Sequence, residues 1–208
     1  MSFKTISKNT EATLRELGSK ILGFLFYCED ETQFREYLDQ IKKNYPDASH
    51  HCYAFRVDPN SVLEFSSDDG EPSGTAGLPI LNQLKSYDLI NAGMVVVRYF
   101  GGTKLGKSGL IQAYGGTAEL CLSEVSFRTI IRVQLVEIRY PYSQENIIQK
   151  LETNFELVEQ ESEYLESVRK IYACPVQLVQ KYIEEISSLK HLSIEFEMLH
   201  KSYISVSA

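Results

Sequence analysis

Three carboxylates, two hydroxyls and three glycines stand within residues 68 to 77, Asp-Asp-Gly-Glu-Pro-Ser-Gly-Thr-Ala-Gly, and residues 98 to 109 read Arg-Tyr-Phe-Gly-Gly-Thr-Lys-Leu-Gly-Lys-Ser-Gly. Asp68, Asp69 and Glu71, beside His51, have the residue types of a general acid, a general base or metal ligands. Ser73, Gly74 and Thr75 lead into a predicted helix, where hydroxyls and free amides grip an anion. Arg98, Lys104 and Lys107 would meet a phosphate or an acidic partner, and Tyr99, Gly101 and Gly102 complete that second loop. A structural reading competes: the carboxylates complete the turn, favour the positive end of the helix and pair with Arg98.

Gly101 to Ser108 also satisfies G-x-x-x-x-G-K-[ST], the phosphate-cradling P-loop, between a predicted strand and a predicted helix. A P-loop enzyme continues with further β-α units and an acidic strand end for magnesium, and neither follows here. Nucleotide binding through Lys107 therefore stands as a minor reading. His50, His51 and Cys52 are neighbours on a predicted strand, so their side chains alternate between its faces and cannot converge on a metal. No pattern calls for a resident metal or a cofactor, and no nucleophile elbow or Ser/His/Asp spacing is present. Tyr53, Phe55, Tyr99 and Phe100 alternate with Arg56 and Arg98; core packing accounts for such aromatics and base stacking is the alternative.

Several predicted strands and helices surround these loops in the first part of the chain. The apolar run Ile21 to Tyr27 predicts a buried strand that pairs with residues 11 to 17 through Gly18. Phe34, Tyr37, Leu38 and Ile41 fall on one helical face, with Asp30 and Gln33 as a capping box and Pro46 as the stop. Strands are expected over His51 to Val57, Val62 to Ser66 and Met94 to Phe100, with a short helix through Leu78, Leu81 and Leu84 capped by Thr75. A longer helix runs from Ser108, and its Gly115 and Gly116 are expected to mark a close backbone approach. After residue 130 the pattern restarts as strand, helix, two strands, helix, strand, with Pro175 opening the second helix and Val176, Val179, Ile183 and Ile186 on its apolar face. That order is the split-βαβ, ferredoxin-like unit.

The 208 residues carry a formal charge of −7, which argues against general coating of nucleic acid while leaving room for a local basic patch. No apolar run approaches a membrane span of roughly 18 residues, and the opening residues lack a signal-peptide core, so a cytoplasmic protein is expected. Cys28, Cys52, Cys121 and Cys174 are scattered, which predicts buried, idle thiols.

The residues 68–77 and 98–102, with Lys104-Leu-Gly106, Gly109-Leu110 and Ala113-Tyr114, resemble the signature of the YigZ/IMPACT family. His51-Cys-Tyr-Ala-Phe-Arg56 and Ser19-Lys-Ile-Leu-Gly-Phe24 fit the same pattern, and Leu78 departs from the arginine expected there. The resemblance implies an α+β chain of two α/β-sandwich domains. Residues 1–130 would be an IMPACT-like domain similar to domain 2 of ribosomal protein S5. Residues 131–208 would be a ferredoxin-like domain similar to the C-terminal domain of elongation factor G. Eukaryotic relatives are regarded as regulators of translation initiation, which implies a non-enzymatic protein that meets the ribosome, RNA or a translation-related protein.

Overall fold

Leu17 and Gly18 both adopt positive φ, 44° and 80°, the two-residue turn whose twist suits a tight hairpin. In the computed structural model, which describes residues 3–207, this turn joins β2 (Thr10–Glu16) to β3 (Ser19–Tyr27). The pairing is antiparallel, from Thr10 opposite Leu25 to Glu16 opposite Ser19, as the apolar run and the turn predicted. With β4 (His50–Val57), β5 (Leu63–Ser67) and β6 (Ala92–Tyr99) these strands form a sheet in the order β2-β3-β6-β4-β5. Every neighbouring pair in it is antiparallel. A short strand β1 (Phe3–Ile6), which the sequence pattern did not signal, bridges in parallel from Lys4 to Leu89.

Helices cover both faces of the sheet. α1 (Glu31–Asn44) packs Phe34, Leu38 and Ile41 with Phe24, Phe26, Phe55, Val95 and Val97. α2 (Gly77–Ser86) and α3 (Gly106–Ser123) pack with Ile21, Leu25, Met94 and Val96 on the other face. β6 is thus buried on both sides, which is why it reads as an unbroken apolar run. Asp30 caps α1 by accepting from the Gln33 amide at 2.9 Å, and Gln33 reaches back to the Glu29 amide at 3.0 Å.

Two expectations about packing fail. A Cβ on Gly115 would lie an ordinary 3.8 Å from Pro79, and one on Gly116 would meet nothing within 4 Å, so neither glycine marks a close approach. Gly23 does so instead, because a Cβ there would fall 2.6 Å from Cys121 Sγ and 2.9 Å from Thr117 Cγ2. This absent side chain lets α3 lie down on β3.

The contacts divide the chain into two compact units, one reaching to Thr129 and the other spanning Ile130–Val206. The second is built from β7 (Phe127–Tyr140), α4 (Glu145–Asn154), β8 (Val158–Tyr164), β9 (Val168–Pro175), α5 (Val179–Ser188) and β10 (Glu195–Ser207). Its strands lie in the order β10-β7-β9-β8. Ile148, Leu151, Tyr182 and Ile186 of the helices close over Val136, Ile138, Val168 and Tyr172. Pro175 ends β9 and does not open α5, and Val176 is exposed; the proline's fixed φ suits a strand terminus as well as a first helical turn. Buried Lys170 is held by Glu145, Glu152 and Glu159 at 3.5, 3.4 and 3.1 Å.

Candidate functional site

Asp68 builds the first loop around itself. Its Oδ1 accepts from the amides of Ala76 and Gly77, both at 2.9 Å, and its Oδ2 from the Gly74 amide at 2.8 Å. Ala76 and Gly77 open α2 (Gly77–Ser86), so the carboxylate sits where the helix carries its partial positive charge. Burial alone would raise the Asp68 carboxyl, but the amides of Gly74, Ala76, Gly77 and Thr75 outweigh it and hold it below the usual carboxylate range. Thr75, expected to cap α2, turns its hydroxyl back to the Pro72 carbonyl at 2.6 Å. The cap comes from eight and nine residues upstream, a distance that local capping patterns do not register.

Asp69 stands at φ 40° and accepts the His51 amide at 2.6 Å. The His51 ring donates from Nε2 to the Tyr45 carbonyl at 3.0 Å, with its Nδ1 3.9 Å from Asp69 Oδ2. His50 donates from Nδ1 to the Asp69 carbonyl at 2.8 Å. His50 and His51 thus tie the loop to β4.

Glu71 and Arg98 pair inside the protein, at 9% and 5% exposure. Glu71 Oε1 accepts from Arg98 Nη1 at 2.6 Å and from the Tyr114 hydroxyl at 2.8 Å. Arg98 Nη2 donates to Ser19 Oγ at 3.3 Å, and Ser19 Oγ also accepts the Gly101 amide at 3.3 Å. Burial, and then the neighbouring Cys52 and Glu71, push the Tyr114 hydroxyl far above its ordinary value. Arg98 therefore corrects one expectation: it is a buried clamp between the two loops and not a surface cation. The proposed pairing of the carboxylates with Arg98 is realised by Glu71 alone. Sequence reading missed Ser19 and Tyr114 as partners, although both stand within the family-like segments.

The second loop is positioned by backbone contact. A Cβ on Gly101 would fall 1.9 Å from the Gly18 carbonyl carbon. Gly102 and Gly106 take positive φ, 87° and 70°. The Tyr99 hydroxyl donates to Asp47 at 3.0 Å, and the Phe100 amide donates to Ser49 Oγ at 3.2 Å. α3 then begins without a side-chain cap at Leu105, so the amides of its first turn are left for another acceptor.

Between the loops lies a cavity of about 330 Å³. Lys104 and Lys107, both exposed, line it with Glu71 and Arg98, and Pro72, Phe100, Leu105 and Leu110 give it an apolar wall. Asp68, Asp69, His51, Ser73, Gly74 and Thr75 do not line it. Ser73 is exposed. The P-loop reading loses its scaffold, because β6 runs antiparallel to both of its neighbours and a P-loop follows a strand of a parallel sheet. Among the described residues no three His, Cys, Asp or Glu groups converge as metal ligands. All four cysteines are free and buried, and burial pushes the Cys52 thiol up to about 12, which leaves it protonated and inert near neutrality.

This geometry sits within the part of the chain that resembles known proteins. Residues 17–122 match the Impact N-terminal domain. The chain is 32% identical over 184 residues to the IMPACT family member YvyE of Bacillus subtilis (strain 168), covering 88% of this chain and 81% of that protein. It is 38% identical over 111 residues to the IMPACT family member YigZ of Escherichia coli (strain K12), covering 52% of this chain and 54% of that one. A crystal structure described as that of a hypothetical protein superposes with a TM-score of 0.68 at 26% identity, over 96% of this chain and 98% of the other. With its signature loops folded into one latched face and the match extending over both units, the chain belongs to the IMPACT family.

Proposed function

We propose that this is a non-enzymatic, cytoplasmic protein that acts in translation or its regulation by docking on the ribosome, its RNA or a translation-linked protein. The observation that carries this reading is the division of labour in the two loops. Asp68, Asp69, Glu71 and Arg98 are taken up in holding the face together, while Lys104, Lys107 and half-exposed Phe100 are presented outward. A shaped surface with outward cations suits recognition. The role of the eukaryotic relatives implied by the family-like signature supplies the link to translation. No helix among the described residues is long and apolar enough to cross a membrane.

For the units, the order β10-β7-β9-β8 with its two helices supports a ferredoxin-like second domain akin to the C-terminal domain of elongation factor G. The helix-covered antiparallel sheet supports a first domain akin to domain 2 of ribosomal protein S5. The alternative, an enzyme or a binder of a small anion or metal through residues 68 to 75, needs an Asp68 freed from three amide bonds.

Co-sedimentation with ribosomes of the host at low and moderate salt tests the docking. Salt-sensitive binding that weakens in a Lys104→Ala/Lys107→Ala variant is expected. No sedimentation at either salt, or equal binding by the variant, would overturn it.

A further inference from the structure

We propose that β5 is the contact through which two copies of this chain pair, edge to edge about a two-fold axis, so that their five-stranded sheets continue as one. The contact uses none of the residues assigned to docking and does not rest on that reading.

One side of β5 is free. The strand stands last in the order β2-β3-β6-β4-β5 and pairs with β4 alone, from Leu63 opposite Val57 to Ser67 opposite Tyr53. Alternate residues of such a strand turn their amide and carbonyl groups away from the sheet. Among the described residues no main-chain group from beyond β4 meets them. An unpaired row of this kind is a template for another strand unless charges, prolines or bulges blunt it. Two other outer strands are blunted. β2 exposes Glu11, Arg15 and Glu16. β8 exposes Glu159, Glu161 and Glu163 and shifts register between Glu159 and Glu161. β5 carries one charge, Glu64, with no proline and an unbroken register, and Leu63 and Phe65 are 45% and 47% exposed.

Symmetry and charge point to a second copy as the occupant. Every neighbouring pair in this sheet is antiparallel, and a two-fold axis supplies an antiparallel neighbour from the identical strand. Such an axis sets Leu63 and Phe65 of one copy beside those of the other. Phe65 is already held in place for this, with its ring centroid 6.1 Å from those of both Tyr53 and Phe55. On the opposite face Glu64 accepts from Arg56 at 3.1 Å and from exposed Lys85 at 2.7 Å, so the strand's one carboxylate is countered before a copy approaches. Arg35, paired with Glu31 at 2.8 Å, lies 5.9 Å from the Phe65 ring centroid. Two chains that repel through an overall charge of −7 therefore meet where cations and carboxylates are mixed, a surface able to complement itself. β5 has five residues, about 17 Å of strand, and a contact of that length stays below the roughly 1,200 Å² of a standard interface. The dimer is accordingly weak and reversible.

Sedimentation velocity of the full chain over a concentration series tests the pairing. A monomer passing to a dimer with Kd on the order of 0.1 mM is expected. Phe65→Lys and, separately, Leu63→Lys place a charge on the edge, as β2 and β8 do, and each should raise Kd at least about tenfold. Both positions are exposed, so both variants should keep the wild-type circular dichroism spectrum. Val158→Lys, on the blunted strand β8, should leave Kd unchanged. In hydrogen exchange, protection of the Leu63–Ser67 amides should rise with concentration while that of β2 and β8 stays constant. A monomer up to about 1 mM, growth beyond the dimer, an unchanged Kd in both β5 variants, or association without added protection in β5 overturns the proposal.

Discussion

Arg98 illustrates how far a residue's role can sit from its type. Its cationic side chain in a polar loop reads as a contact for phosphate, yet its partner Glu71 lies 27 residues away and the pair is inside the protein. Spacing along the chain carries no record of that meeting. Removing one member leaves the other charge buried and unpaired, so Arg98→Ala should destabilise by about 3–5 kcal/mol in chemical denaturation. Lys104→Ala should leave the denaturation midpoint unchanged. Asp68 makes a prediction in pH. Its folded carboxyl is held below the ordinary value, so its stabilisation is complete above the unfolded value of about 3.9 and disappears as pH falls through the lower folded value. The stability gap between wild type and Asp68→Asn should therefore be widest near neutrality and shrink on acidification below about pH 4. A gap that is constant with pH would show that the amide bonds to Asp68 do not depend on its charge.

At the scale of elements, patterns of two and of 3.6 residues were sufficient for the β2–β3 hairpin, α1 and the strand-helix order after residue 130. They were insufficient where neither local rule applies. β1 is four residues long, too short to show a period, and the cap of α2 arrives from another segment. The glycines divide along the same line. Gly116 lies within α3 with open space where a Cβ would go, so Gly116→Ala should stabilise by about 0.5–1 kcal/mol through helix propensity alone. Gly23→Ala places a methyl against Cys121 and Thr117 and should cost about 1–3 kcal/mol as overpacking. Opposite shifts of the thermal midpoint in the two variants would confirm that α3 is tight against the sheet at Gly23 and loose at Gly116.

For the whole molecule, the formal charge of −7 opposes association with polyanions, so any such binding has to come from a local group of cations, and Lys104 and Lys107 are the pair that the proposed docking face presents. Ribosome affinity should fall as salt rises, and Lys104→Ala should weaken binding and reduce the salt slope by about 1 if that lysine meets a phosphate. An unchanged slope would place the contact elsewhere. The contact between Gly18 and Gly101 extends beyond any one variant. A side chain at Gly101 would strike the Gly18 backbone, and one at Gly18 would come 2.8 Å from the Gly101 carbonyl oxygen. Because each obstacle is main chain, a change at one position cannot compensate for a change at the other. Diversification of this face is therefore expected to spare the crossing of the two turns and the signature residues beside it, and to act on positions outside the signature such as Lys107, so that relatives can vary one contact without changing how the surface is assembled.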